Sequence, residues 1–119
     1  MDDLSVVMKI ISDGNLTHMV AFHSQQAIEK SLKAIMEEYD IESARIHNLE
    51  RLLGLVSGHI ELGIDIVIIE KLDKLYIDAR YPSDFGLLPD GKPTKEDAKK
   101  FYSTAQNIFK LVETHLEKI

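Results

Sequence analysis

Residues 22–33, Phe22-His23-Ser24-Gln25-Gln26-Ala27-Ile28-Glu29-Lys30-Ser31-Leu32-Lys33, set two glutamines, a glutamate and two lysines inside an otherwise apolar helical pattern. Two shorter pieces carry related groups: Arg45-Ile46-His47-Asn48-Leu49 and Ala79-Arg80-Tyr81-Pro82. Ammonium and guanidinium groups suit phosphate, the guanidinium as a two-pronged donor. Imidazole moves a proton near neutral pH, and a phenol ring stacks on a nucleobase. The chemistry within reach of these residues is recognition of a phosphate-bearing ligand. Each also has a structural reading. Gln26 and Lys30 fit a solvated helix face, and His47 a tie between a loop and a helix end. Arg80 fits an interior clamp on Glu29, with Pro82 ending the helix.

Other chemistry has less support. The chain has five histidines, of which His18 and His23 are five apart. That spacing turns them about 140° from each other on a helix, whereas helical His ligands prefer spacings of three or four. No Glu-x-x-His pair occurs, and the absence of cysteine excludes thiolate sites, disulfides and Cys nucleophiles. No glycine-rich strand-to-helix turn and no Gly-x-Ser-x-Gly elbow is present. His23 beside Ser24 is adjacency only, because consecutive helical side chains diverge. His115 belongs with the terminus of the last helix. No metal, cofactor or catalytic residue is assigned.

Lys and Arg total 14 against 20 Asp and Glu, a net charge of −6. That balance argues against broad capture of nucleic acid, which needs a basic face. Contact with RNA would be focal or supplied by a partner. The length of 119 residues suits one domain, 1–119, around one core. No basic stretch followed by an apolar core opens the chain, and the apolar runs are too short to span a membrane. A soluble cytoplasmic protein without membrane contact is expected.

The elements that must carry these groups are helical by periodicity. Over residues 16–39, Leu16, Val20, Ala27, Ile28, Leu32, Ile35 and Tyr39 share a broad face, with Glu29, Lys30, Lys33, Glu37 and Asp40 expected opposite. Thr17, Ser24 and Ser31 lie on the packed face, where small side chains admit a close neighbour. Asn48 caps a shorter helix over 48–57 with Leu49, Leu52, Leu53 and Val56 buried. Residues 64–69 have strand propensity, but Ile68, Leu72, Leu75 and Ala79 continue at helical spacing and predict one helix over 64–79. Thr94 caps the last helix, whose core positions are Ala98, Phe101, Ala105, Ile108 and Val112. Tyr102, Phe109 and Leu116 flank them and are the expected self-association face. A short helix over 4–12 leads the chain. Breaks fall at 13–15, 42–47 and 81–93, the last holding all three prolines. The expected architecture is all-α: an antiparallel up-and-down four-helix bundle with one extra short helix.

The pieces QQAIEKSLKA, IHNLERLL and YIDARYP, in that order, resemble the HEPN family of small helical proteins over roughly residues 16–115. The resemblance implies the same helical fold, and binding of nucleotides or nucleic acid. It also implies metal-independent RNA cleavage in many members, and small nucleotidyltransferases as genetic partners. Cleaving members carry an Arg and a His separated by about four to six residues, the His to move a proton and the Arg to stabilise phosphate charge. Here Arg45 is separated from His47 by one residue and Arg51 from His59 by seven, and Arg80 has no histidine close downstream. The catalytic spacing is absent. What matches instead is Gln26, Glu29, Lys30 and Lys33, His47, and Arg80-Tyr81-Pro82. On this reading Lys33, His47, Arg80 and Tyr81 converge to contact a phosphate-bearing ligand or a partner. The implied assembly is a homodimer paired with a small nucleotidyltransferase in a toxin–antitoxin-like system. A ribonuclease toxin with a displaced Arg–His site and a purely structural helical subunit are the alternatives.

Overall fold

The computed structural model describes residues 2–43, 45–79 and 93–119, the side chains of 76–79 excepted. These residues form helices α1 (Asp2–Ile10), α2 (Thr17–Glu38), α3 (Leu49–Val56), α4 (Ile66–Ala79) and α5 (Lys95–Glu117), with one 3₁₀ turn at Gly14–Leu16. No strand occurs among them. The strand-prone residues 64–69 instead supply a lead-in and the first turn of α4. Asp65 accepts there from the Val67 amide through its side chain and from the Ile68 amide through its carbonyl.

α2 is the hub and packs against each of the other four helices. Its Ala27, Ile28, Leu32, Ile35 and Met36 join one core with Leu49, Leu52 and Val56 of α3, Ile68, Ile69 and Leu72 of α4, and Phe101, Ala105, Ile108 and Val112 of α5. A smaller cluster of Val7, Val20 and Ala98 ties α1 to the beginnings of α2 and α5. Burial of Thr17, Ser24 and Ser31 on α2 agrees with the small-residue reading. The Ser31 hydroxyl donates back to the Ala27 carbonyl at 2.8 Å, a bond available within its own helix.

The chain direction departs from expectation. Lys95, opening α5, lies over Gly14 just before α2, while Tyr39 and His115 meet at the far ends of both helices. The two longest helices therefore run the same way. Strict alternation from α2 to α5 would have opposed them; α3, only eight residues long, does not reverse the chain as a full bundle member would.

Helix ends follow the expected chemistry. Asn48 accepts from the Arg51 amide and Thr94 from the Asp97 amide. α2 closes with Ile41 N–H on Met36 O and Asp40 N–H on Glu37 O, and Asp40 takes a left-handed φ of 55°. α1 begins two residues before the predicted start, which brings Asp3 into the helix. The Tyr102, Phe109 and Leu116 flank is half-buried: Tyr102 packs on the smaller cluster and Leu116 on the main core. It offers less open apolar surface than the spacing implied.

Candidate functional site

The geometry begins with Glu29. Periodicity assigns it to the solvated face of α2, but the fold buries it to 8% exposure and takes Gln25, one turn earlier, to 1%. A buried carboxylate must be met by donors, and three are present. Gln25 Nε2 donates to Glu29 Oε1 at 3.1 Å, Lys33 Nζ lies 3.2 Å from Oε2, and His47 Nδ1 lies 3.3 Å from Oε2. Gln26 Nε2 donates to Gln25 Oε1 at 2.7 Å, and Gln25 Nε2 also faces the His47 carbonyl at 3.4 Å. The i, i+4 spacing of Gln25, Glu29 and Lys33 thus builds a network rather than a surface ion ladder.

His47 reaches this network because the start of α3 is held in place. Asp73 of α4, itself buried, accepts from the Leu49 amide at 2.8 Å and the Glu50 amide at 3.1 Å. Burial pushes the Asp73 carboxyl above its ordinary range, outweighing the two amides that favour its charge. No basic side chain bonds to it among the described residues.

Lys30 departs from the expected group. It turns to the other flank of α2, where its Nζ lies 2.6 Å from Asp3 Oδ2, and His23 Nδ1 lies 2.8 Å from Asp3 Oδ1. Burial pushes the Asp3 carboxyl up, but the bonds and charges of His23 and Lys30 outweigh it and hold the group below its ordinary range. The two flanks therefore repeat one design: a buried carboxylate, Asp3 or Glu29, gathers one imidazole through Nδ1 and one ammonium. Phe22, His23, Gln26, Lys30 and Lys33 occupy an arc of about 100° on α2, with Gln26 near its middle.

Of the predicted residues, Gln26, Glu29, Lys33 and His47 come together, and Lys30 lies on the same helix face in the second cluster. Arg80 and Tyr81 lie outside the described residues, as does the proposed Arg80 clamp on Glu29. Asp3, His23, Gln25 and Asp73 were missed. Sequence spacing carries no signal for three of them, because Asp3 meets His23 across 20 positions and Asp73 meets Leu49 across 24. Gln25 falls just outside the edge of the apolar face, one turn before Glu29, so spacing alone did not mark it as buried. Among the described residues no group of three or more His, Asp or Glu is arranged to hold a metal. His115 does sit in the last turn of α5, where its Nε2 lies 2.7 Å from the Tyr39 hydroxyl.

A family model described as HEPN domain matches residues 2–115 of the chain. No curated protein and no solved structure matches it.

Proposed function

The chain belongs to the HEPN family, and from that premise we propose a nucleotide- or nucleic-acid-binding module that works with a small nucleotidyltransferase in a toxin–antitoxin-like pair. One observation carries the siting of this function. Lys33 and His47, from elements distant in sequence, meet on the buried Glu29 carboxylate and remain partly open, with side-chain exposures of 25% and 46%. Glu29 holds both heads in place, so a ligand phosphate would meet groups already oriented. Arg80 and Tyr81 are proposed to join them as a phosphate fork and a stacking ring. A homodimer through the half-buried flank of α5 belongs to the same proposal.

The test is titration of the full chain with a nucleoside monophosphate and with a short RNA, in chelator, followed calorimetrically and by gel. Lys33→Ala and Arg80→Ala are expected to weaken binding about tenfold, the scale of one charged hydrogen bond. RNA cleavage is expected to be weak or absent, because the Arg–His spacing is missing. Robust cleavage lost in His47→Ala or Arg80→Ala would make the protein an enzyme and overturn this reading. Co-expression with the neighbouring gene product addresses the partner: co-elution of a nucleotidyltransferase is the expected outcome.

A further inference from the structure

The Asp3–His23–Lys30 cluster contains more than is needed to fasten α1 to α2. Fastening uses His23 Nδ1, Lys30 Nζ and the two Asp3 oxygens. The Asp3 side chain is only 10% exposed and its carboxyl titrates low, so it stays an acceptor and obliges Nδ1 to carry a proton. The ring nitrogen of His23 left to accept a further proton is then Nε2. That atom makes no hydrogen bond among the described residues, and it is not among the buried atoms left without a partner, so it opens to solvent. Beside it Lys30, at 57% side-chain exposure, keeps donors free for solvent. Phe22, at 45% exposure, stands edge-on to the imidazole, with ring centroids 5.1 Å apart and an interplanar angle of 84°.

We propose that His23 Nε2 and Lys30 bind the phosphate of a nucleoside monophosphate with uptake of one proton, and that the exposed ring of Phe22 receives its base. This shares a ligand class with the reading above but places the ligand on the opposite flank of α2.

The proton follows from charge counting. With neutral His23, Asp3 and Lys30 cancel, and Nε2 presents a lone pair that repels a phosphate oxygen. Once Nε2 takes a proton the cluster carries a net positive charge and two kinds of donor point outward. Asp3, from α1, is the charged group bonded to His23, with Lys30 on its other oxygen; the described ion pairs bring none from α3, α4 or α5. Binding and protonation are therefore linked, and affinity rises as pH falls. The base adds stacking on Phe22, so a nucleotide should bind better than phosphate or nucleoside alone.

Histidine-selective nitrogen–proton NMR on the full chain reads each imidazole separately. It would be recorded with AMP, inorganic phosphate or adenosine at about pH 6 and about pH 8. The expected result is a shift at His23 Nε2 with AMP, binding about fivefold or more tighter at the lower pH, and weaker responses to phosphate and adenosine. His23→Gln keeps an amide donor for Asp3 while removing the nitrogen that takes up the proton, and should abolish the pH dependence. Phe22→Ala should bring AMP down to the affinity of phosphate. A response confined to His47, pH-independent binding, or unchanged binding by His23→Gln overturns this inference and leaves the proposed function standing. Silence of every histidine, with no RNA binding, removes both. Should His23→Gln fail to fold, the wild-type spectra and Phe22→Ala still decide.

Discussion

At the residue scale, two carboxylates organise the candidate face, and each has a measurable consequence. Glu29→Ala strands Gln25, Lys33 and His47 around an emptied position. Lys33 and His47 can rehydrate, so the expected loss is about 1–3 kcal/mol rather than the full cost of a buried orphan charge, read from urea unfolding. Asp3 predicts a pH effect. Its folded pKa lies below the ordinary 3.8, so its stabilisation is present above that value and lost as pH falls through the lower folded one. Asp73 has the opposite sign: its raised folded pKa means its contribution worsens as pH rises through that value. Asp3→Asn should therefore flatten the acid loss of stability and Asp73→Asn should steepen it, with unfolding midpoints measured from about pH 6 to about pH 3 as the check.

At the element scale, the exit of α2 offers a stabilising substitution. Asp40 closes the helix in the left-handed region, where a side chain is strained and glycine is not. Asp40→Gly should stabilise the protein by about 0.5–1 kcal/mol while leaving the closing bonds intact. A lower unfolding midpoint for this variant would show that the aspartate side chain matters for another reason. The neighbouring Tyr39 stacks on His59 at 4.1 Å and bonds His115. It thereby joins the end of α2, the segment after α3 and the last turn of α5. The αL turn at Asp40 lets the chain leave α2 without disturbing that junction.

At the scale of the whole molecule, α2 is both the centre of the core and the carrier of the candidate face. One side is buried and apolar apart from the small residues Thr17, Ser24 and Ser31; the other holds the two carboxylate-centred clusters. Substitutions at Glu29 thus report on stability and ligand contact together, which is why each binding variant needs its own unfolding curve. Self-association is tested at this scale as well. Sedimentation at micromolar concentration is expected to give a dimer, and Phe109→Glu is expected to shift it to monomer. A wild-type monomer would remove the homodimer from the proposal.

The helical nature of the chain, its helix starts at Asn48 and Thr94, and most of its core positions were legible in the sequence. These are local properties: apolar spacing and capping side chains act within a few residues. The QQAIEKSLKA, IHNLERLL and YIDARYP pieces, in that order, were equally legible as a family pattern. The tertiary structure decided what these local signals do not encode. Glu29 is polar and periodic with the charged face, yet the approach of the segment before α3 covers it, and that approach depends on Asp73 holding α3 from another helix. Asp3 becomes a partner for His23 and Lys30 only because α1 folds back along α2. The common direction of α2 and α5 likewise depends on how the intervening segments cross, since helix periodicity is the same read in either sense.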